Sequence, residues 1–583
     1  MTRAMITAVA LTRSFKDKSA RKELLALDNV NLVINKGQMT ALIGPDGAGK
    51  TTFFRLVCGL LTPSSGRLEV LGLDVNRYTE EIQTKISYMP QKFGLYEDLT
   101  VKENLDLYAD LHGVSKLNRE QRFQRLLAMT GLEGFTDRLA GNLSGGMKQK
   151  LGLACTLVRS PEILLLDEPT VGVDPLSRRE LWEILQQLVA EEDLTVLVST
   201  AYMDEAALCQ NVIIMYAGKV LTQGTPEALC SSASDLCYKL QPPAQIPARV
   251  AQAALLDDDN VIDAVPEGGA VRFLVRSSEV LPQLNIYRYL GGLATWKVSA
   301  RLEDSFMLLL SKTMPDHSRF AVGFELDYRQ DYTLSTAIDI EVSGLVRRFG
   351  DFVAVNITSF SVHRGEIFGL LGPNGAGKTT TFRMLCGLLP ASSGSLFVAG
   401  TDVRQARAQA RAHLGYVAQK FSLYGSLTVD ENLRFYAGVY GLNKQELTER
   451  IAEVKVQFGL QEVGQQEAGQ LPGGYKQRLS MAAALLHHPR ILFLDEPTSG
   501  IDPLARRTFW RQITALATGG TTIIVTTHFM EEAEYCDRVM IQDQGKMLAI
   551  GTPDEIRRQG AGAPDMNQAF IAIVEQHRKR ARE

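Results

Sequence analysis

The sequence predicts an α/β fold with a mainly parallel sheet, built twice in one chain of 583 residues. Short apolar runs alternate with amphipathic helix-like runs around a glycine-rich stretch, which occurs at 44–52 and again at 372–380. Equivalent residues of the two halves lie 328 positions apart from Lys50 and Lys378 as far as Trp182 and Trp510, with no gap over this span. A repeat of this length indicates a duplicated domain rather than a short-period solenoid.

The repeat divides the chain into four predicted parts. We expect a first repeated domain at 1–230, an α+β module at 231–337, a second repeated domain at 338–556 and a C-terminal helix at 557–583. A chain of this length is too long for one hydrophobic core. Alternating apolar residues such as Val271–Val275 set the module apart, and a structural or regulatory role is favoured for it over a small-molecule site.

Composition limits the class of protein. Hydrophobic residues make up 45% of the chain and charged residues 22%, the balance of an ordinary globular protein. No apolar run approaches the roughly 18 to 20 residues that span a bilayer, and the N-terminus lacks a signal-peptide pattern. We therefore expect a cytosolic protein, which, if it serves a membrane, does so through a partner. A net charge of −4 gives no reason to expect nucleic-acid binding.

The seven cysteines show no C-x-x-C pair and no spacing typical of a disulfide framework. Cys58 and Cys386 occupy equivalent apolar positions shortly after the two glycine-rich stretches. We interpret them as small core residues in a reducing compartment, in preference to metal or redox sites.

Each glycine-rich stretch matches the pattern GxxxxGK[ST] between a predicted strand and a predicted helix, which is the context of a phosphate-binding loop. The glycines let successive backbone N–H groups point at an anion, and the lysine brings a positive charge to the β- and γ-phosphates. The threonine after the lysine, Thr51 or Thr379, offers a hydroxyl to Mg²⁺. The candidate nucleotide-binding residues are Gly44, Pro45, Asp46, Gly47, Ala48, Gly49, Lys50, Thr51, Thr52, Gly372, Pro373, Asn374, Gly375, Ala376, Gly377, Lys378, Thr379 and Thr380.

Two other recurring residues are candidates for nucleotide contacts. Phe15 and Phe349 precede the phosphate loops, where an aromatic ring can stack on a nucleotide base; a half-buried strand aromatic is the alternative. Gln91 and Gln419 each follow a predicted strand and precede a helical stretch that begins Leu-Thr-Val. A glutamine at such a strand end can reach both Mg²⁺ and the attacking water.

An apolar strand ends in two acids in each half, Asp167-Glu168 and Asp495-Glu496. Beside a phosphate loop, the Asp is expected to hold Mg²⁺ through water, and the Glu to polarise the water that attacks the γ-phosphate. Two unpaired acids at the end of a buried strand, occurring twice by chance, are a poor alternative.

Taken in order, the phosphate loop, the glutamine, a Leu-Ser-Gly-Gly signature, the Asp-Glu strand and the Ser499–Asp502 loop resemble the ATP-binding subunit of an ABC transporter. The resemblance implies two P-loop NTPase domains in tandem, each with a helical subdomain, which bind ATP and Mg²⁺ and hydrolyse ATP. Tandem domains with Gln-Lys-Phe-x-Leu-Tyr in both halves are similar to bacterial drug-efflux ATPases. These work at the cytoplasmic face of the inner membrane with separate ABC-2-type permeases, which select the cargo.

In that family the two domains close head to tail, and each ATP lies between the phosphate loop of one domain and the signature of the other. The matching signature residues here are Ser144, Gly145, Gly146, Gly473 and Gly474. Two departures are evident. The family's switch histidine is present as His528, but Ala201 stands at its place in the first half, and Pro472 replaces the signature serine in the second half.

Both losses fall in the composite site of the first phosphate loop. Removing one preorganised donor typically costs about 10² to 10³ in rate, so the loss of two predicts one site that turns over and one that mainly holds nucleotide. The complete site has Glu496, His528 and Gln419 as candidate catalytic residues, whereas Glu168 remains in the degenerate one. The first-half loop Val171–Asp174 also differs from its counterpart and in the family faces the opposite site, so the asymmetry need not be confined to one site.

The rival hypothesis is a soluble ABC-F-type ATPase that acts on ribosomes. A linker that reaches ribosomal RNA should be basic and strongly helical, but residues 231–337 hold 10 basic and 13 acidic residues, a net charge of −3. A DNA-repair or chromosome-organising ATPase would need zinc-type cysteine insertions or long coiled coils.

Two non-identical halves mildly favour two different permease subunits over a pair of identical ones.

Overall fold

The computed structural model describes residues 3–16, 23–91, 94–243, 245–289, 293–313, 332, 335–406, 411–499 and 501–582. The chain forms two compact units, Met1–Ser234 with Ala300–Lys312, and Asp235–Ser299 with Thr313–Glu583. Several parts of the predicted motifs and module lie outside the described residues, namely 92–93 after the first glutamine, Gly500, and 244, 290–292, 314–331 and 333–334 of the predicted module.

The first unit begins with two sheets and the helices that connect their strands. Its elements are β1 (Ala4–Lys16), β2 (Glu23–Asn35), β3 (Met39–Ile43), α1 (Lys50–Val57), β4 (Ser65–Val70), β5 (Leu73–Asp74), α2 (Thr79–Lys85), β6 (Ile86–Met89), α3 (Val101–Leu111), α4 (Lys116–Thr130), α5 (Gly145–Leu157), β7 (Ile163–Asp167), α6 (Pro175–Glu192), β8 (Thr195–Ser199), α7 (Met203–Ala206), β9 (Asn211–Tyr216), β10 (Lys219–Gly224) and α8 (Pro226–Cys230). One sheet has the order β10-β9-β3-β8-β7-β6 and is parallel except for β10, and the other is antiparallel with the order β2-β1-β4-β5.

The segment between the repeated domains forms a separate antiparallel sheet with helices. Its elements are β11 (Cys237–Gln241), α9 (Ala248–Leu256), β12 (Val261–Glu267), β13 (Ala270–Val275), α10 (Ile286–Tyr289), β14 (Ala294–Lys297) and α11 (Leu302–Thr313). The strand order is β12-β13-β11-β14, and α9 packs on this sheet through an apolar cluster that includes Leu255 and Phe273. The sheet belongs to the second compact unit, whereas most of α11 belongs to the first.

The second repeated domain has the same architecture as the first. Its elements are β15 (Ile338–Phe349), β16 (Phe352–His363), β17 (Ile367–Leu371), α12 (Lys378–Leu385), β18 (Ser393–Val398), β19 (Thr401–Asp402), β20 (Leu414–Val417), α13 (Val429–Val439), α14 (Lys444–Gln457), α15 (Gly473–Ala484), β21 (Ile491–Asp495), α16 (Pro503–Thr518), β22 (Thr522–Thr527), the 3₁₀ segment Met530–Tyr535, β23 (Arg538–Asp543), β24 (Lys546–Gly551), α17 (Pro553–Gln559) and α18 (Met566–Arg582). The sheet order β20-β21-β22-β17-β23-β24 and the antiparallel sheet β16-β15-β18-β19 match those of the first domain. The predicted duplicated α/β fold is confirmed.

The parallel strands place the candidate catalytic residues. Strands β3, β7 and β8, like β17, β21 and β22, are buried along their whole length, which is why they are continuous apolar runs. Because neighbouring parallel strands run the same way, their carboxyl ends meet at one edge of each sheet. The phosphate loop, the acid pair and the segment after β8 or β22 all leave that edge.

The core of each repeated domain lies beneath its phosphate loop. Phe53 and Phe54 of α1 are fully buried in the first core, and Phe382 of α12 packs edge-on against Phe493 in the second. Cys58 and Cys386 are buried in these two cores, and burial raises the pKa of the Cys58 thiol to about 12.

In each domain a helical subdomain lies in sequence between the strand before the predicted glutamine, β6 or β20, and the acid-bearing strand, β7 or β21, as expected. It comprises α3–α5 in the first domain and α13–α15 in the second. The recurring Leu-Thr-Val-x-Glu-Asn stretch begins α3 and α13 because its threonine and glutamate form a capping box, Thr100 with Glu103 and Thr428 with Glu431.

Within the second unit, the sheet between the repeated domains and its helix α9 are attached by ion pairs whose arginines are buried. Arg249 Nε and Nη2 each donate to Asp537 at 3.1 Å, and Arg507 Nε donates to Asp263 at 3.1 Å. The pairs are Arg249–Asp537, Arg507–Asp263 and Arg511–Asp257. They join the sheet and α9 to α16 and to the residue before β23.

The C-terminal α18 packs against α17, β24 and the Met530–Tyr535 segment. Among the described residues, no helix has the length and apolar content needed to cross a membrane.

Candidate active sites

Each phosphate loop is a tight turn between a buried strand and a helix. Gly49 and Gly377 immediately precede α1 and α12 with φ of 102° and 101°, a region that side chains other than glycine rarely adopt. A Cβ atom would lie 2.6 Å from the Ala26 carbonyl oxygen at Gly49 and 2.4 Å from that of Ala354 at Gly377. Both the turn and the close approach of a neighbouring strand therefore require glycine.

The lysine of each loop folds back across it. Lys50 Nζ donates to the carbonyl oxygens of Gly44 at 2.7 Å and Pro45 at 3.2 Å. Lys378 Nζ makes the same contacts with Gly372 and Pro373, the second at 3.0 Å. Both lysine side chains are buried, so each loop surrounds a fixed positive charge beside a helix N-terminus, which is a favourable site for phosphate.

The two acid pairs are held by hydroxyl groups on the neighbouring strand. Asp167 accepts a hydrogen bond from Ser199 Oγ at 2.6 Å, and Asp495 accepts one from Thr526 Oγ1 at 2.6 Å. The backbone N–H groups of the following glutamates donate to the same hydroxyls, at 2.9 Å and 3.0 Å. Each Asp is thus fixed at the carboxyl end of its strand.

The glutamates leave the strand ends in an unusual conformation. Glu168 and Glu496 have φ of 52° and 46°, in the left-handed region, which turns each side chain away from the preceding Asp. Gln91 Nε2 donates to Glu168 Oε2 at 2.6 Å, and Gln419 Nε2 donates to Glu496 Oε2 at 2.6 Å. The structure therefore brings the predicted glutamine and glutamate together in both domains.

Comparison with known proteins agrees with this geometry. The sequence profile of the family described as "ABC transporter" matches residues 27–171 and 355–499. The Escherichia coli protein named "Probable multidrug ABC transporter ATP-binding protein YbhF" is 47% identical, over 98% of each chain. The chain belongs to the ABC transporter family, as an ATP-binding subunit. Its two repeated domains are ABC ATPase domains, here called the first and second ABC domain.

Shorter relatives correspond to one ABC domain. The Bacillus subtilis "Linearmycin resistance ATP-binding protein LnrL" is 40% identical over 40% of this chain and 78% of its own length. The Cupriavidus metallidurans "Nod factor export ATP-binding protein I" is 40% identical over 38% of this chain and 73% of its own length.

The two ABC domains differ where β8 and β22 end. His528 is fully buried, and its Nδ1 lies 3.2 Å from Glu496 Oε2. At the same place in the first ABC domain is Ala201, also buried, which offers no polar atom to Glu168. Glu168 instead pairs with Lys50, whose Nζ lies 3.9 Å from Glu168 Oε1.

The pKa values of the two glutamates are shifted in opposite directions. Burial raises the pKa of Glu168, although the Lys50 charge and the Gln91 amide oppose the rise. Burial also acts on Glu496, but the hydrogen bond and charge of His528, together with Lys378, outweigh it and lower the pKa below its ordinary value. Glu496 is therefore held more firmly in the carboxylate form, which is the form that accepts a proton from water.

The signature residues lie at the N-terminus of the last helix of each helical subdomain, α5 or α15. Ser144 is the N-cap of α5, and its Oγ accepts the Met147 N–H at 3.3 Å. Gly145 and Gly146 follow it. Pro472 is the N-cap of α15 and makes no side-chain cap hydrogen bond. Gly473 and Gly474 begin that helix, so its exposed N-terminus lacks the hydroxyl present in the first ABC domain.

The aromatic residues before the loops lie at the ends of β1 and β15. The guanidinium carbon of Arg13 lies 4.8 Å from the ring centroid of Phe15, and that of Arg347 lies 4.4 Å from the ring of Phe349. Phe349 is 46% exposed, so it is not a core residue. An exposed ring backed by arginine is a suitable surface for a nucleotide base.

The hydroxyl residues that hold the acid pairs were not among the residues predicted from the sequence. Ser199 and Thr526 are neighbours of Asp167 and Asp495 in the β-ladder. A signal was available, because both β8 and β22 end in two hydroxyl residues, Ser-Thr and Thr-Thr.

Proposed function

We propose that this ATPase energises a bacterial exporter through one hydrolytic ATP site and one site that mainly retains nucleotide. The observation that carries the proposal is the Glu496–His528 contact at 3.2 Å, which has no counterpart where Ala201 replaces the histidine. The fold, the phosphate loops and the acid pairs are otherwise alike in the two ABC domains.

The proposal assigns the groups of the hydrolytic site as follows. Lys378 and the surrounding loop bind the phosphates, Glu496 polarises the attacking water, and His528 and Gln419 orient Glu496. In the head-to-tail closure typical of the family, Ser144, Gly145 and Gly146 would complete this site. The other site would combine the Lys50 loop and Glu168 with Gly473 and Gly474, and would lack both the imidazole and the signature hydroxyl. Most phosphate contacts come from the loop, so nucleotide binding should survive these losses.

The residues near each phosphate loop fit Mg²⁺. Thr51 and Thr379 are exposed at the start of α1 and α12, and Asp167 and Asp495 are fixed at the adjacent strand ends, with Gln91 and Gln419 as further candidate ligands. Among the described residues, no group of three or more His, Cys, Asp or Glu side chains could hold a metal by itself. Mg²⁺ suits such a sparse site because it takes one or two carboxylates together with phosphates and water. When bound, it would neutralise charge on the β- and γ-phosphates.

We further propose that the chain works at the cytoplasmic face of the inner membrane with integral ABC-2-type permease subunits. The names of the relatives, which refer to multidrug transport, linearmycin resistance and Nod factor export, support an export role. The apolar side chains at the surface of the two helical subdomains differ, with half-buried Leu107 and exposed Leu111 in α3 replaced by the exposed Phe435 and Val439 in α13. Two non-identical surfaces favour two different permeases.

The segment between the ABC domains argues against a ribosome-bound ATPase. Its net charge is −3, and its described core is an antiparallel sheet rather than an extended helical arm. Purification of the tagged protein from detergent-solubilised membranes tests this point. Copurifying integral membrane proteins would support the exporter, whereas recovery on ribosomes without them would overturn it.

The assignment of the two sites is tested by steady-state ATP hydrolysis of two matched variants. Glu496→Gln should abolish turnover, because it removes the base of the hydrolytic site, while Glu168→Gln should leave most of the activity. If Glu168→Gln stopped hydrolysis and Glu496→Gln did not, the assignment would be reversed.

A further inference from the structure

Glu532 is a buried carboxylate outside the groups assigned above. It lies in the Met530–Tyr535 segment that follows β22, and its side chain is 1% exposed. Its Oε1 accepts a hydrogen bond from Thr498 Oγ1, and its Oε2 accepts one from Thr527 Oγ1 at 2.6 Å. A carboxylate placed between two hydroxyl donors links the segments that carry them.

Those two segments carry the two candidate catalytic side chains of the second ABC domain. Thr498 lies two residues after Glu496, and Thr527 immediately precedes His528. Thr527 Oγ1 also accepts the Phe529 N–H at 2.9 Å, which closes a tight turn around His528. One carboxylate therefore connects the turn that presents the imidazole to the segment that presents the glutamate.

Groups on other elements hold Glu532 in place. Burial raises the pKa of Glu532 to about 7, even though the positive charge of Arg506, a buried residue of α16, lowers it. Two residues along, Glu534 accepts the Gly268 N–H at 3.1 Å and pairs with Arg557, so the same segment is fixed from the side of the β11–β14 sheet. Several neighbouring groups therefore fix the position of Glu532.

We propose that Glu532 is a positioning residue for ATP hydrolysis, which fixes Glu496 and His528 at contact distance without touching the nucleotide. This inference rests on the proposed function in one respect, namely that the second phosphate loop belongs to the hydrolytic site. A displacement of about 1 Å at a reacting group can lower a rate by roughly 100-fold, so a bridge of this kind affects the rate more than it affects nucleotide binding.

The first ABC domain provides a matched control within the same chain. Thr200 Oγ1 donates to Glu205 at 2.6 Å and accepts the Tyr202 N–H at 3.0 Å, and Arg178 lies 3.4 Å from Glu205. The half of the bridge that holds the turn after the strand is therefore built in the same way in both domains. In the first domain the residue inside this turn is Ala201, so this bridge has no imidazole to position.

The test compares Thr527→Val and Thr498→Val with Thr200→Val, because valine keeps the shape of threonine and removes only the hydroxyl. We expect each second-domain variant to lower kcat by about 10- to 100-fold with little change in the KM for ATP, and Thr200→Val to leave both near the wild-type values. Thermal melting of each variant reports whether the fold is kept, and Thr527→Ser should restore kcat.

A double-variant cycle separates positioning from a merely structural role. If Thr527 acts through the imidazole, Thr527→Val should cost little in a His528→Ala background. An equal loss in both backgrounds, a loss of the same size in Thr200→Val, or an unchanged kcat would overturn the inference. Glu496→Gln is measured alongside: if it retains activity, the proposed function fails, whereas if it is inactive and Thr527→Val is normal, only the role of Glu532 fails.

Discussion

The two ABC domains share one architecture and differ in a few side chains. Strand order, phosphate loop, acid pair and the Gln-to-Glu hydrogen bond are the same in both. They differ at Ala201 against His528, and at Ser144 against Pro472. The shared parts bind phosphate mainly through backbone and lysine, whereas the differing parts act on the water and on developing charge. Nucleotide binding and hydrolysis can therefore diverge separately in a duplicated chain.

A second difference lies far from the phosphates. The second ABC domain has Arg507, Arg511 and Asp537 at the places where the first has Arg179, Glu183 and Gln210. Arg507 pairs with Asp263 of β12, and Arg511 and Asp537 pair with Asp257 and Arg249 of the α9 region. Arg179 and Glu183 instead form an exposed pair 3.8 Å apart. At two of these three places the first domain lacks the charge of the second, because Glu183 stands for Arg511 and Gln210 for Asp537. Arg179 keeps the charge of Arg507 but pairs on the surface.

The largest effect is expected from breaking one of these buried pairs. Asp263→Ala leaves the buried Arg507 without its carboxylate, and the loss of one partner of a buried pair typically costs about 3 to 5 kcal/mol. The thermal transition of the second unit should move to lower temperature. Arg179→Ala removes the matched exposed pair and should change stability by less than about 1 kcal/mol. Equal shifts in the two variants would contradict this account.

Removing the imidazole is the next largest change. His528→Ala should lower kcat by about 10² to 10³, the usual cost of one preorganised group at a site of developing charge, while ATP binding is retained by the Lys378 loop. Rapid-mixing measurements of hydrolysis, with nucleotide binding measured separately, check both parts. A variant that hydrolyses ATP at the wild-type rate would show that the contact with Glu496 has no catalytic role.

The reverse experiment attempts to make the weaker site hydrolytic. In a Glu496→Gln background, Ala201→His combined with Pro472→Ser should restore measurable hydrolysis, because the combination supplies both missing groups to the site that contains Glu168. We expect a gain of about 10-fold over the background, and a smaller gain from either substitution alone. The absence of any gain from the combination would show that other differences, such as the Val171–Asp174 loop, keep this site inactive.

The smallest effect is expected in the pH dependence of kcat. In the folded protein His528 lowers the pKa of Glu496, so Glu496 stays ionised into the acidic range. Without the imidazole, burial dominates and the pKa of Glu496 rises. In His528→Ala, the fall of kcat at low pH should therefore begin at a higher pH than in the wild type, since protonated Glu496 cannot accept a proton. A fall that begins at the same pH, or at a lower pH, would mean that His528 does not set this pKa.

Much of each site follows from local sequence patterns. The phosphate loops and the acid-bearing strands were predictable because glycine, lysine and apolar runs act over a few residues, as the backbone of Gly49 and Gly377 illustrates. The hydroxyl supports Ser199 and Thr526 could have been found from the paired Ser-Thr and Thr-Thr strand ends. The attachment of the β11–β14 sheet could not, because its ion pairs join residues about 250 to 290 positions apart and depend on tertiary packing.

The most direct test of the asymmetry is to measure the nucleotide that remains bound during turnover. The protein, with its copurified membrane partners, is incubated with radiolabelled Mg-ATP and separated rapidly from free nucleotide, and bound ATP and ADP are then counted per chain. We predict one slowly exchanging ATP that Lys50→Ala removes, and a second, rapidly hydrolysed nucleotide that Lys378→Ala removes. Two sites that exchange and hydrolyse at the same rate would contradict the account.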